Sequence, residues 1–139
     1  MEKTNVYDRA RKVVRELVPL LHTIREHDKS LADQLKRAAQ SVVLNIAEAR
    51  GNDAGNARAR FSTACGSAKE VRAALNVATD WGYIETHKAT HLDEKLDEVC
   101  AITWCLGRNL YRPESLQDIA QTSSSAMSTA LTRELGTYP

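Results

Sequence analysis

Histidines, serines and cysteines are the residues of this sequence that could perform chemistry, and their spacing limits which chemistry is open to them. His87 and His91 lie one helical turn apart, so their imidazoles could share a metal ion. A protein metal site needs three or four ligands, and the sequence offers no obvious third ligand. Paired Glu-x-x-His motifs, which build metal centres in helix bundles, are absent. We therefore expect no metal site.

The candidate nucleophiles lack the partners that would activate them. No histidine lies at a recognisable catalytic spacing from Ser41 or Ser67, and there is no glycine-rich phosphate-binding loop. The cysteines form no Cys-x-x-Cys pair, and their odd number argues against a disulfide framework. We interpret Cys65, Cys100 and Cys105 as small buried apolar residues. The sequence therefore predicts no catalytic residue, no cofactor and no enzymatic activity.

Positive charge is unevenly distributed along the chain. The net charge is +1, yet residues 1–72 hold 14 Lys and Arg against 9 Asp and Glu, a balance of +5. Residues 73–139 hold 5 against 9, a balance of −4. Clustered cations bind phosphate groups, although a single surface charge is more often simply solvated. The predicted nucleic-acid contacts lie in the basic half and are Arg9, Arg11, Lys12, Arg15, Lys36, Arg37, Arg58 and Arg60.

Four amphipathic helices are predicted to position these residues, because apolar side chains recur every three or four positions in four successive segments. The first helix is expected to start after Asn5 and to kink at Pro19, with a helical segment on either side. The second is expected to start at a cap formed by Ser30 and Asp33. It should end at Gly51, which would take the left-handed conformation.

The third and fourth helices have equally clear boundaries in the sequence. The third is predicted over 56–81, with Gly82 closing it. The fourth is predicted to begin at Thr86 or Thr90 and to stop at Arg112-Pro113. Three hydrophobic residues around Gly82 are expected to plug this end of the bundle: Trp81, Tyr83 and Ile84.

The predicted fold is an all-α, antiparallel up-down-up-down four-helix bundle over residues 1–112. Residues 113–139 are rich in Ser and Thr and lack a sustained period, so we expect a flexible, largely disordered tail, with at most a short helix. The N-terminus has no apolar signal segment, and no run of about 20 apolar residues occurs. We expect a cytoplasmic protein without a membrane partner.

A second surface is indicated beside the predicted core. Leu44 falls on the far flank of the second helix, and Ala59, Gly66 and Ala73 recur every seven residues on the third. Small residues at this spacing let another helix approach closely, which favours subunit packing. The alternative is that alanine is present only as a good helix former.

A polar motif borders the core on the same two helices: Ser41, Asn45 and Glu48 on the second, and Ser67 and Glu70 on the third. Polar groups beside a core are normally hydrogen-bonded, because an unpaired buried group costs about 1–3 kcal/mol. We favour a structural interpretation, in which the motif links helices or subunits. A ligand site is the alternative.

These stretches also carry a family resemblance. The segment 41–48 reads S-V-V-L-N-I-A-E, 64–70 reads A-C-G-S-A-K-E, and 81–84 reads W-G-Y-I. Over residues 5–112 the combination resembles the bacterial four-helix-bundle proteins encoded in 23S ribosomal RNA intervening sequences. The resemblance implies an antiparallel bundle that assembles as a homo-oligomeric ring, commonly a pentamer.

The resemblance also bears on partners. The accessory protein of diversity-generating retroelements, which is similar in fold to this family, binds nucleic acid and a reverse transcriptase through a basic surface. This implies RNA or a reverse-transcriptase-like nucleoprotein as a partner here. Two hypotheses follow: a non-catalytic RNA- or nucleoprotein-binding accessory module, and a protein–protein interaction scaffold with no nucleic-acid role.

Overall fold

The chain forms four helices that surround one core. A computed structural model describes residues 5–51 and 53–108, except for the side chain of residue 54. The helices are α1 (Val6–His27), α2 (Lys29–Gly51), α3 (Ala54–Asp80) and α4 (Thr86–Arg108). Each packs against the next in chain order, and α4 closes the bundle against α1. The predicted all-α up-down-up-down bundle is therefore confirmed, while the predicted tail 113–139 and the stop at Arg112-Pro113 lie outside the described residues.

The core is aliphatic and rich in alanine, as the scarcity of aromatic residues predicts. Leu17, Ile24, Leu35 and Ile46 are fully buried, and burying each contributes about 1.5–3 kcal/mol. Alanines fill the narrow spaces between these larger side chains. Among the described aromatic residues only Phe61 is buried. The helical period thus places one apolar stripe of each helix against the same core.

The start of α2 differs from the prediction. Asp28, not the Ser30–Asp33 pair, caps this helix, because its Oδ1 accepts a hydrogen bond from the Leu31 N–H at 2.9 Å. The Asp28 N–H also donates to the Ile24 carbonyl at 2.7 Å, which closes α1. A single residue therefore joins α1 to α2. Asp33 contributes differently, through an ion pair with Arg25 at 2.7 Å.

The first helix is not divided at Pro19 and Gly51 does not take the left-handed conformation, so these two expectations are wrong. The α1 helix runs through Pro19 as one element, because the proline lies on the exposed side where water can satisfy the freed carbonyl. Gly51 ends α2 without a positive φ, and Gly82, at φ +76°, is the one described residue in the left-handed region. The Tyr83 N–H donates to the Ala78 carbonyl at 2.9 Å across Gly82, which closes α3 as predicted.

The end of the bundle beside Gly82 also departs from the expected apolar plug. Ile84 is buried and Tyr83 is half-buried, but Trp81 is 69% exposed. The Tyr83 ring stacks on His27 with centroids 5.0 Å apart, and Trp81 stacks on Tyr83 at 6.5 Å. Trp81 is therefore the outermost ring of a three-ring surface stack.

Asp28→Ala is expected to lower the free energy of unfolding by about 1 kcal/mol, because it removes the carboxylate that accepts from the Leu31 N–H at the start of α2. The backbone hydrogen bond from Asp28 to the Ile24 carbonyl is kept. Asp28→Asn is the matched control, since it retains an oxygen that can accept from the Leu31 N–H. Urea denaturation followed by circular dichroism measures both variants. Equal stability of the alanine and asparagine variants would show that the side-chain cap contributes nothing.

Candidate nucleic-acid interface

The eight predicted phosphate contacts are spread over the bundle and divide into two groups. Arg9 forms an ion pair with Glu98, and Arg60 forms one with Glu48 at 2.9 Å. The other six are exposed, and no carboxylate among the described residues lies within ion-pairing distance of them: Arg11, Lys12, Arg15, Lys36, Arg37 and Arg58. Within the described part of the chain, six of the eight cations therefore have no ion pair to lose on binding a phosphate, although Lys12 and Arg37 interact electrostatically with Glu16 and Asp33.

Arg11 lies close to Arg50, which was not among the predicted phosphate contacts. Both guanidinium groups lie over the ring of Tyr7, at 5.8 Å for Arg11 and 5.4 Å for Arg50. Tyr7 precedes Arg11 by four residues, so this contact could have been predicted from helical spacing. Arg50 arrives from α2, and only the packing of α1 against α2 reveals it.

A second arginine–aromatic stack lies at the same end of the bundle. The Arg108 guanidinium lies 4.5 Å from the centroid of the Trp104 ring in the last turn of α4. A methyl group at the neighbouring Gly107 would lie 3.5 Å from the Arg58 carbonyl oxygen, so the backbone of Arg58, near the start of α3, lies beside the last turn of α4. We call this region, defined by Arg11, Arg50, Arg58 and Arg108, the arginine end.

Charge differs between the two ends of the bundle. The segments 5–12, 48–60 and 98–108, which form the arginine end, hold seven described Lys and Arg against four Asp and Glu. The segments 22–33 and 77–90, which form the opposite end, hold three against five. The arginine end is therefore net positive and the end carrying Trp81 is net negative.

The polar motif links α2 to α3. The hydroxyl oxygens of Ser41 and Ser67 are 2.7 Å apart, and the Asn45 amide donates to the Ser41 hydroxyl at 3.0 Å and to the Ser41 carbonyl at 2.8 Å. Glu48 extends this line of contacts to Arg60. Glu70 is exposed and takes part in none of these contacts. Ser41, Ser67 and Glu48 thus connect α2 to α3, and the Arg60 guanidinium also donates to the Asn45 amide oxygen at 3.4 Å.

Ionic contacts also join α4 to its neighbours. Arg72 on α3 binds Asp93 at 2.9 Å and Asp97 at 2.8 Å, and the hydrogen bond to Asp93 raises the pKa of the guanidinium. On α1, Glu16 contacts Lys95 at 3.2 Å and His91 at 3.7 Å. Burial raises the pKa of Glu16, but the hydrogen bond and charge of Lys95 outweigh it, so the net pKa is lowered.

The two histidines considered as metal ligands have different partners. His91 contacts Glu16, whereas His87 lies 3.3 Å from Glu85. Within residues 5–51 and 53–108 no group of three His, Cys, Asp or Glu side chains could hold a metal ion. None of the described helices is long and apolar enough to cross a membrane.

The far flanks of α2 and α3 expose apolar side chains. Leu44 is 60% exposed and Val77 is 41% exposed. The small residues at seven-residue spacing on α3, which are Ala59, Gly66 and Ala73, are exposed as well. Small residues at this spacing would permit the close approach of another helix.

Comparison with known proteins places this bundle in a family. The model of the 23S rRNA-intervening sequence protein family matches residues 2–104, which reach into α4. The chain belongs to this family. A solved structure from the S23 ribosomal protein family of Bacteroides thetaiotaomicron, itself of unknown function, is similar with a TM-score of 0.69. It is 18% identical and covers 75% of this chain and 99% of its own, which shows a shared fold. None of the curated proteins compared with the chain matches it.

A double-mutant cycle on Ser41 and Ser67 tests the link between α2 and α3. Ser67→Ala is expected to cost about 1 kcal/mol, because it removes one partner from a half-buried hydroxyl pair. The double variant should cost less than the sum of the single variants by about 0.5 kcal/mol or more. Ser62→Ala, at an exposed position of α3, is the control. Additive losses in chemical denaturation would contradict the hydroxyl contact.

Glu16 predicts a pH dependence of stability. Because its folded-state pKa lies below the ordinary value of 4.5, the ionised carboxylate stabilises the fold above that pH, and the contribution is lost as pH falls through the folded pKa. Glu16→Gln should be less stable than the parent at neutral pH, with the difference shrinking in acid. Glu26→Gln, at an exposed position of α1, is the control. A difference between parent and Glu16→Gln that stays constant with pH would rule out the proposed pairing with Lys95.

Proposed function

We propose that this protein is a non-catalytic, homo-oligomeric RNA-binding accessory module that acts in the cytoplasm. The observation that carries the proposal is the set of exposed arginines and lysines that lie outside ion-pairing distance of every described carboxylate, although Lys12 and Arg37 still interact electrostatically with Glu16 and Asp33. Such side chains can neutralise RNA phosphates and release the counterions that the phosphates had bound. Paired cations such as Arg9 would first have to give up an ion pair.

The family gives the proposal its direction. The family name refers to 23S rRNA, and the solved relative is assigned to a ribosomal protein family. Both descriptions concern relatives, and they favour RNA over DNA as the nucleic acid to test first. A nucleoprotein that exposes RNA, including a reverse-transcriptase-like complex, would present the same phosphates to this surface.

Oligomerisation would strengthen a binding surface that is modest on each subunit. Leu44 and Val77 leave apolar area on the flanks of α2 and α3, beside small residues that permit close helix contact. Several copies of a weak site on one assembly bind a long RNA much more tightly than one copy does. A pentameric ring, as the family resemblance implies, would present five such sites.

A protein–protein interaction scaffold is the second candidate function. The exposed apolar flank and the exposed Trp81 ring favour it, because large apolar side chains at a surface commonly mark protein contacts. This alternative predicts an assembly that does not respond to RNA. The two candidates are therefore separated by RNA binding and its dependence on salt.

The Arg15→Glu/Lys36→Glu double variant tests the RNA-binding proposal. Fluorescence anisotropy with a structured RNA should show affinity that falls as salt rises from 50 to 200 mM, and the variant should bind about tenfold more weakly at low salt. The matched control is Lys29→Glu/Lys88→Glu, which reverses two charges at the opposite end.

Light scattering coupled to size exclusion measures the mass of the assembly with and without RNA. A multimer whose mass increases with RNA at low salt and returns to its original value at high salt is the expected result. An RNA-indifferent multimer would favour the scaffold, and a monomer would contradict the homo-oligomer. In the anisotropy experiment, equally weakened RNA binding by Arg15→Glu/Lys36→Glu and Lys29→Glu/Lys88→Glu would contradict the assignment of Arg15 and Lys36 to the RNA-binding surface.

A further inference from the structure

We propose that the arginine end is a binding site for unpaired RNA bases, which stack on its aromatic-supported guanidinium groups. This inference rests on the RNA binding proposed above and adds the class of RNA structure that the site would select. It depends on the contact of Arg11 and Arg50 with the Tyr7 ring, and a second arginine–aromatic pair, Arg108 with Trp104, lies at the same end.

The Tyr7 ring holds two guanidinium groups that arrive from different helices. Tyr7 is half-buried against the core, so the ring is fixed, while Arg11 and Arg50 are exposed. A guanidinium over an aromatic face is attracted to the ring, which favours a defined position for an otherwise mobile side chain. Each planar group can then stack with a base and donate N–H groups to a neighbouring phosphate.

Only an unpaired base can use such a site fully. In a duplex the faces of each base are covered by its neighbours, so a protein reaches mainly phosphates and groove edges. Bases in loops, bulges and single strands can turn outward and stack on aromatic or arginine planes. Planar, supported arginines therefore suit unpaired RNA, whereas unsupported cations alone would bind paired and unpaired RNA through phosphate charge.

The second stack gives this end more than one contact point. Arg108 lies over Trp104, and Arg58 lies beside the same turn of α4. The excess of positive charge at this end attracts the phosphates that connect successive bases. Aromatic support and positive potential thus occur together.

The three-ring stack of His27, Tyr83 and Trp81 is the competing location for base stacking. Its outer ring is more exposed than Tyr7, but Asp28, Asp80 and Glu85 are part of a net negative end. Negative potential there repels the phosphates that accompany every base. Charge therefore favours the arginine end.

Two RNAs of equal length and nucleotide composition distinguish the possibilities: a hairpin with a large unpaired loop and a fully paired duplex. We expect the parent protein to bind the hairpin about 5- to 100-fold more tightly, the range that one stacked base provides. Tyr7→Leu should remove most of this preference, because it keeps an apolar side chain against the core but removes the ring.

Variants that preserve charge separate stacking from electrostatics. Arg11→Lys/Arg50→Lys should also reduce the preference for the hairpin while leaving the salt dependence of duplex binding unchanged, because lysine keeps the charge without the plane. These exposed positions also provide a test if Tyr7→Leu fails to fold. Trp81→Leu is the control and should retain the preference.

The possible outcomes distinguish a failure of the base-stacking site from a failure of RNA binding as a whole. Equal, salt-dependent binding of hairpin and duplex by the parent protein would overturn the stacking site but leave RNA binding intact. A hairpin preference that Trp81→Leu abolishes and the arginine-end variants retain would overturn the location. Absence of binding to both RNAs would overturn RNA binding itself.

Discussion

Close packing of the helices around a core of alanine and medium-sized aliphatic side chains is the constraint on which the other contacts depend. Small residues let helix backbones approach, and Gly107 shows this near the Arg58 carbonyl. The direct hydroxyl contact between Ser41 and Ser67 requires the same proximity of α2 and α3. Larger side chains in the core would separate the helices, and the polar links and the contact of Arg50 with Tyr7 would be lost together.

The four helices could be predicted because each segment has its own helical period of apolar residues, and burial of these residues in the core stabilises the helix. Helix caps are harder to predict, because several polar residues near a turn could accept the hydrogen bond. Which of them does so depends on where the backbone turns. Asp28 and Ser30 illustrate this: both residue types favour helix starts, but the chain reverses at Asp28. Gly82 takes the positive φ expected of a helix-ending glycine, but Gly51, of the same type, does not, so residue type alone does not determine the backbone conformation.

In the candidate site, too, some features follow from the sequence of one helix, whereas others depend on contacts between helices. The exposure of Arg15 and Lys36 follows from their place on the helical period, and the contact of Arg11 with Tyr7 follows from four-residue spacing. The ion pairs of Arg9 and Arg60 and the approach of Arg50 to Tyr7 depend on the axial register between helices. The apolar pattern of each helix does not reveal how far the helices are shifted along one another, so these contacts could not be predicted from the sequence.

The single-residue connection at Asp28 also determines where the bundle can bend. A hinge needs backbone torsions that are free to rotate, and Asp28 is held by hydrogen bonds to both helices that it joins. The α1–α2 pair therefore behaves as one rigid hairpin. The five-residue connection from Trp81 to Glu85 contains more rotatable bonds, but the ion pairs of Arg72 with Asp93 and Asp97 hold α3 against α4. The buried thiols of Cys65 and Cys100, which face each other across these two helices, would reach solvent only if α3 and α4 separated.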